Sequence, residues 1–132
     1  AVIMLITDGD RCLLARNGRN TDAPMYSTLA GYVEPGETLE EAVTREVFEE
    51  TAIRITDVTY KWSQPWPFPS SLMLGYRGRA LTTDIKVDGV ELLDAQWFSR
   101  DFLRREQPAD KFRMPRATSI ARALIQDWLD ER

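Results

Sequence analysis

Three glutamates lie within five residues of one another in the segment "REVFEETA". If this segment is helical, Glu46 and Glu50 are one turn apart and Glu49 lies beside them, so their charges repel one another. Arg45 is the only basic residue in residues 31–53, and it does not offset all three. A solvated acidic helix face is one interpretation. The alternative is a divalent cation site, because carboxylate oxygens are the ligands that Mg²⁺ and Mn²⁺ prefer.

The residues before these glutamates predict the helix that positions them. "EPGE" marks a turn, Thr38 follows as an N-cap, and Glu41 three residues later completes a capping box. Apolar residues at helical spacing then predict one buried stripe, with the carboxylates facing elsewhere. The stripe consists of Leu39, Ala42, Val43 and Val47.

The remaining sequence predicts a mixed α/β domain. β-Branched and aromatic residues at strand spacing favour several strands. These are "AVIMLIT" and "RCLLAR" as a hairpin around "DGD", the extended "YSTLAGYV", and "IRITDVTYKW", "SLMLGYRGRAL" and "AQWFS". "RATSIARALIQDWLDER" predicts an amphipathic helix. Its inner face is expected to hold Ile120, Ala121, Leu124, Ile125 and Trp128.

Composition limits the class of protein. A chain of 132 residues that is 43% hydrophobic suits one domain, residues 1–132, and no apolar run approaches the roughly 20 residues that cross a bilayer. Cys12 is the only cysteine, which fits a reducing compartment and predicts a cytoplasmic protein. The net charge of −4 argues against broad nucleic-acid or membrane binding. The nearest basic patch, interpreted as solvated surface, is Lys111, Arg113, Arg116 and Arg122.

The spacing around the glutamates decides between the two interpretations of them. The fixed positions are Gly31, Glu37, Arg45, Glu46, Glu49 and Glu50, together with two apolar positions, Val47 and Ile53. A chance match to this spacing is on the order of one in a million. The segment resembles the signature of the Nudix hydrolases, which act on nucleoside diphosphates linked to another moiety. The resemblance implies an α/β/α sandwich with a mixed sheet and a loop–helix–loop site.

The resemblance also implies roles for the matching residues. The metal ligands would include Glu46, Glu49 and Glu50, and one of these or a nearby carboxylate would be the general base. The Gly31 carbonyl would reach a metal, and Arg45 and Glu37 would form a salt bridge that orients helix and loop. Two or three Mg²⁺ or Mn²⁺ ions would neutralise developing charge on the diphosphate and activate water. Ala52 departs from the family's Gly; a left-handed conformation there would cost about 1 kcal/mol.

The stretch "SQPWPFPSS", residues 63–71, addresses the substrate. Its prolines favour a stiff, extended loop, which by itself is a surface loop or a weak candidate ligand for SH3- or WW-type domains. It resembles the SQPWPFPxS motif of the NADH pyrophosphatases within the Nudix hydrolases. The resemblance implies hydrolysis of NADH, and more weakly NAD⁺, to AMP and nicotinamide mononucleotide. It assigns the substrate pocket to Gln64, Trp66, Phe68 and Ser71.

Further matches to this family lie outside the two motifs. Tyr32 matches an aromatic position that stacks on a substrate ring. Glu91 in "VELLDAQWF" matches a further metal carboxylate, although alone it is equally an exposed acid at a strand edge. Ala121 matches a position against the substrate base, although alone it is a small core residue.

The family usually carries an N-terminal domain and a four-cysteine zinc ribbon before the Nudix fold. This sequence has neither, so it is expected to be a catalytic fragment, with structural Zn²⁺ only in an upstream segment. The family implies a homodimer whose pocket draws on both chains.

Three functions remain. The first is an NADH pyrophosphatase, in a family that includes enzymes removing NAD caps from RNA. The second is a Nudix hydrolase of another nucleotide such as ADP-ribose. The third is a non-catalytic nucleotide-binding module that presents the proline-rich stretch, against which the intact glutamate cluster counts.

Overall fold

The structure is a computed structural model that describes residues 1–17, 24–66 and 71–131. The strands are β1 (Val2–Asp8), β2 (Arg11–Asn17), β3 (Leu29–Gly31), β4 (Ile55–Trp66), β5 (Ser71–Ala80) and β6 (Leu92–Ser99). The helices are α1 (Leu39–Thr51), α2 (Arg100–Arg104) and α3 (Ile120–Leu129). Among the described helices, none has the length and apolar character needed to cross a membrane.

The strands form one mixed sheet in the order β4-β5-β1-β2-β6, with β3 also paired to β1. β1 lies parallel to β5, while the other pairings are antiparallel. Val2 pairs with Gly31 on one side and with Leu74 on the other, and Leu74 pairs with Ser63 of β4. This row of pairs places the end of β3 and the proline-rich stretch at the same end of the sheet.

Apolar side chains cover both faces of the sheet. On one face, Ala42, Val43 and Val47 of α1 pack against β1, β2 and β3 in one buried cluster. On the other face, α3 packs with Ile3, Leu5 and the aromatic side chains that follow β6. The predicted inner face of α3, from Ile120 to Trp128, is buried. The layers are therefore helix, mixed sheet and helix, which confirms the predicted α/β/α sandwich.

The prediction of a loop over residues 63–71 was wrong for its first part. Ser63 to Trp66 continue β4 and pair with the start of β5, so Gln64 lies opposite Met73 and Pro65 opposite Leu72. A proline lacks the N–H donor, which is tolerated here because β4 is an edge strand.

The C-terminal region also differs from the prediction. The short helix α2 was not predicted; it begins where the Ser99 hydroxyl accepts a hydrogen bond from the Phe102 N–H, 3.1 Å away. α3 begins at residue 120 rather than 116, because Ser119 is its N-cap. In both helices the serine satisfies a main-chain donor that the first turn leaves without a partner.

Candidate active site

The predicted capping box fixes the start of α1. The Thr38 hydroxyl accepts from the Glu41 N–H at 3.1 Å, and the Glu41 carboxylate accepts from the Thr38 N–H at 2.8 Å. At the other end Ala52 has φ 63° and ψ 12°, and its N–H donates to the Phe48 carbonyl. The left-handed conformation that the sequence analysis treated as a condition is present, so Ala52 carries the strain that glycine would avoid.

Arg45 joins the helix to the preceding loop. Its Nε and Nη2 donate to the two carboxylate oxygens of Glu37 at 2.6 and 3.0 Å, and Nη2 also donates to the Tyr32 carbonyl at 3.0 Å. The predicted salt bridge is present in two-pronged geometry, which fixes direction as well as distance. Hydrogen bonds from Arg45 and from the Glu34 N–H hold the pKa of Glu37 below its usual value.

Arg45 also contacts two of the three helix glutamates. Its Nη1 donates to Glu46 at 2.8 Å and lies 3.4 Å from Glu49. The Glu46 side chain is 14% exposed and that of Glu49 is 57% exposed. We call Glu46, Glu49 and Glu50 the acidic cluster. The same guanidinium therefore sets the positions of the loop and of two members of this cluster.

Glu50 lies apart from this contact and is buried, with 6% exposure. The prediction that the carboxylates face away from the core was wrong for Glu50, because it lies three residues after Val47 on the buried stripe. Burial, the hydrogen bond and charge of Glu46, and the charges of Glu91 and Asp88 raise the pKa of Glu50 to about 8. A buried carboxyl group surrounded by carboxylates favours a proton or a cation.

Gly31 makes room for the acidic cluster. A Cβ atom at this position would lie 2.5 Å from both Cγ and Oε2 of Glu46. Any other residue would force the Glu46 side chain to move. The signature's requirement for glycine at this position is therefore explained by contact between the end of β3 and α1.

Asp88 has a charge that acts on Glu50, and the sequence analysis did not single it out. Its Oδ1 accepts hydrogen bonds from the N–H groups of Val90, Glu91 and Leu92, at 3.1, 3.2 and 3.1 Å. These bonds lower the pKa of Asp88 and shape the turn that presents Glu91 to Glu50. The sequence contains a signal for this turn, because Asp88-Gly89 is a turn dipeptide. In the structure Gly89 has the positive φ of 77° that such a turn uses.

The donors fit a hard divalent cation by their chemistry. Glu46, Glu50 and Glu91 are oxygen donors whose mutual repulsion a cation would relieve, and Gly31 leaves space beside them. In the described part of the chain, however, no three acidic, cysteine or histidine side chains are close enough to hold a metal ion as they stand. Arg45 draws Glu46 and Glu49 toward itself, so metal binding requires rotation of these flexible side chains.

The residues of the substrate motif have different surroundings. The Gln64 amide donates to the Thr118 carbonyl and accepts from the Ile120 N–H, both at 3.0 Å, and so ties β4 to the start of α3. Phe68 lies outside the described residues. Trp66 of β4 and Ser71 of β5 pair with each other through their main chains.

Two further predicted contacts differ in exposure. Tyr32 is 71% exposed and its ring is free to stack on a planar ligand. Ala121 is 5% exposed and packs in the core under α3. Its predicted contact with a substrate base stays a prediction, because burial here agrees with a packing role.

Comparison with known proteins decides the family. The NUDIX domain family model matches residues 1–120. The chain belongs to the Nudix family. Nudix hydrolases generally use divalent metals such as Mg²⁺ or Mn²⁺.

This Nudix domain has similar relatives among characterised proteins. It is 46% identical over 127 residues to the NAD-capped RNA hydrolase NUDT12 of Macaca fascicularis, covering 92% of this chain and 27% of that protein. It is 46% identical over 132 residues to the NAD-capped RNA hydrolase NudC of Pseudomonas syringae pv. tomato, covering 100% of this chain and 44% of that protein. The Nudix domain thus spans less than half the length of either relative.

Solved structures share the fold of this Nudix domain. A NUDIX hydrolase from Nitrosomonas europaea has a TM-score of 0.72 and 26% identity, and the match covers 96% of this chain and 85% of that one. The NUDIX domain of Shewanella oneidensis NrtR, complexed with ADP ribose, has a TM-score of 0.70 and 14% identity, with 96% and 84% covered. At 14% identity the second match concerns the fold alone.

Proposed function

We propose that the protein is a metal-dependent hydrolase of the diphosphate in NADH and NAD⁺, releasing AMP and nicotinamide mononucleotide, and that it also removes NAD caps from RNA. The observation that carries this proposal is the buried Glu50, hydrogen-bonded to Glu46 and influenced by the charge of Glu91, in a chain that contains the motif "SQPWPFPSS". The relatives named as NAD-capped RNA hydrolases support the choice of substrate.

The acidic cluster serves the chemical step. Water attacks one phosphorus of the diphosphate and gives a proton to one of these glutamates or a nearby carboxylate, while the bond to the bridging oxygen breaks and the second phosphate leaves with that oxygen. Two or three Mg²⁺ or Mn²⁺ ions, when bound, would supply positive charge for the developing oxyanion and a lowered pKa for water. The groups that would hold them are the carboxylates of Glu46, Glu49, Glu50 and Glu91 and the Gly31 carbonyl.

The other residues position these groups and the substrate. Arg45 and Glu37 fix α1 against the loop, so that Gly31 and Tyr32 keep their places beside Glu46. Tyr32 stacks on a base, and the stretch "SQPWPFPSS" shapes the pocket around the dinucleotide. Gln64 contributes by holding the start of α3, which carries Ala121. The active form is a homodimer.

The test is product analysis with NADH, NAD⁺, ADP-ribose and a dinucleoside polyphosphate at equal concentration, with Mg²⁺ or Mn²⁺. AMP and reduced nicotinamide mononucleotide, formed fastest from NADH, are the expected result. A preference for ADP-ribose would overturn the choice of substrate and leave the diphosphate chemistry standing. Tight nucleotide binding without turnover of any substrate would identify a binding module instead.

A further inference from the structure

A second charged surface lies outside the acidic cluster. Residues 104–122 contain six basic and two acidic side chains, a balance of +4, whereas the whole chain has a net charge of −4. The basic residues are Arg104, Arg105, Lys111, Arg113, Arg116 and Arg122. All are exposed except Arg122, which is half-buried. We call these six residues the basic surface.

The cations of the basic surface are not neutralised by acids. Within residues 1–17, 24–66 and 71–131, none of the six forms an ion pair with a carboxylate, whereas Lys61, Arg77 and Arg100 do. The guanidiniums of Arg113 and Arg122 donate instead to main-chain carbonyls of Ala109 and Pro115, each at 3.0 Å. A carbonyl bond holds a guanidinium in place and leaves its full positive charge.

The later part of this stretch, residues 113–120, borders the substrate end of the sheet, whereas Arg104 bonds to the Leu129 carbonyl at the other end of α3. At one side the Arg113 N–H donates to the Pro24 carbonyl, and the Tyr26 N–H donates to the Arg113 carbonyl, both at 3.0 Å. At the other side Gln64 bonds to Thr118 and Ile120. Residues 113–120 therefore run along the sheet end from the approach to β3 as far as β4.

The active site occupies that same end. Gly31, Val2, Leu74 and Ser63 form one row of paired residues across β3, β1, β5 and β4. With neighbouring strands about 4.8 Å apart, this row is roughly 15 Å wide. Arg113 and Arg116 therefore lie in a segment that borders the same end of the sheet as Gly31 and Tyr32.

We propose that the basic surface binds the phosphate backbone of an RNA whose NAD-capped 5′ end lies in the active site. This inference rests on the proposed function and extends it from the cap to the RNA chain. Guanidinium groups suit phosphate oxygens because their planar donors match two oxygens at once. It also replaces the interpretation of this patch as solvated surface only.

The surface favours RNA over an anionic membrane. Proteins that lie on a bilayer combine basic residues with exposed apolar side chains. The exposed large apolar residues of the described chain are Tyr32, Phe48, Tyr60, Leu72, Leu81, Val90 and Leu93, none of which belongs to residues 104–122. The basic surface offers charge without an apolar anchor.

The test compares two double variants with the same change of charge. Arg113→Gln/Arg116→Gln alters the basic surface, and Arg54→Gln/Arg79→Gln alters two exposed arginines at the opposite end of the sheet. We expect the first variant to lower kcat/KM on an NAD-capped single-stranded RNA about tenfold at low salt. For this variant the slope of log kcat/KM against the logarithm of the salt concentration should become less steep by about 1.4, because two phosphate contacts of a single strand are lost. Hydrolysis of NADH should stay within about twofold, and the control variant should behave as the unaltered protein on both substrates.

A binding measurement separates this inference from the proposed function. Fluorescence anisotropy with uncapped RNA of the same sequence measures RNA binding to the basic surface in the absence of turnover. One outcome is that the protein hydrolyses neither substrate, while Arg113→Gln/Arg116→Gln weakens binding of uncapped RNA and the control variant does not. In that case the proposed function is wrong and the basic surface is supported as an RNA-binding site. If both variants bind RNA equally, or the first variant loses equal activity on NADH and capped RNA, the surface assignment is overturned. Binding to phosphatidylserine vesicles but not to RNA would overturn it as well.

Discussion

The carboxylate of Glu46 lies against the α-carbon of Gly31, in the space where any other residue would carry its Cβ atom. Through this contact the last residue of β3 and the middle of α1 depend on each other. The neighbouring Arg45 holds the same two segments by its bonds to Tyr32 and Glu37. The site is therefore built from a helix and a strand end that are positioned together.

Gly31→Ala should lower the activity of the protein without unfolding it. The new methyl group meets the end of a flexible side chain, so Glu46 can rotate away, and the free energy of unfolding should change by less than about 1 kcal/mol. A displaced ligand should lower kcat/KM by about ten- to a hundredfold. Steady-state kinetics and chemical denaturation measure the two effects separately.

A double variant identifies the cause. If Gly31→Ala acts by moving Glu46, it should have no further effect on the residual activity of Glu46→Ala, because contacting residues are not additive. Additive losses would show that Gly31 acts by another route, such as its carbonyl.

Glu50→Gln should abolish both turnover and stabilisation by metal. The amide keeps the size of the side chain but removes the negative charge that a cation requires, so kcat should fall at least about 100-fold. Mg²⁺ or Mn²⁺ should raise the melting temperature of the unaltered protein and leave that of Glu50→Gln nearly unchanged. Glu40→Gln removes one negative charge from an exposed position on the same helix and is the control. It should retain both turnover and stabilisation by metal.

Ala52→Gly should stabilise the protein. At φ 63° the alanine Cβ is strained, and glycine relieves this strain, which should raise the free energy of unfolding by about 0.5–1 kcal/mol. Ala123→Gly, inside α3, should lower it by about the same amount. Denaturant titration of both variants checks the opposite signs; two losses of stability would contradict the strain at residue 52.

Cys12 should make stability fall at alkaline pH. Burial raises the pKa of its thiol from 9.0 to about 12, with the charges of Arg77 and Arg100 opposing the shift only partly. Between these values the unfolded chain releases the proton and the folded chain keeps it, so folding is progressively disfavoured as pH rises. Iodoacetamide at pH 9 should label the folded protein far more slowly than the unfolded one. Rapid labelling of the folded protein would contradict the burial of this thiol.

The part of the site that follows from local rules could be predicted from the sequence. The capping box of Thr38 and Glu41, the helix that follows and the left-handed Ala52 involve neighbours only a few residues apart. Arg45 and Glu37 could be paired from their matched positions in the signature. The structure contains the capping box, the helix, the left-handed Ala52 and the Arg45–Glu37 ion pair.

Features that depend on distant parts of the chain were not predictable in the same way. Glu50 is buried because the sheet covers that face of α1, and its neighbour Glu91 is brought there by the turn at Asp88. Gln64 was assigned to the substrate, yet its amide bonds to the start of α3, more than fifty residues further on. Nothing near these residues in the sequence specifies such partners.

The central position of β1 has a consequence for how the chain acquires its structure. Val2 pairs with Leu74 and Thr7 with Arg79, so β1 needs a partner strand that is synthesised some seventy residues after it. Contacts of such separation slow folding, because the intervening chain must lose its freedom before the pairing forms. During translation the edge of β1 that later pairs with β5 has no partner strand until β5 leaves the ribosome, so chaperone binding to this edge is most useful in that interval.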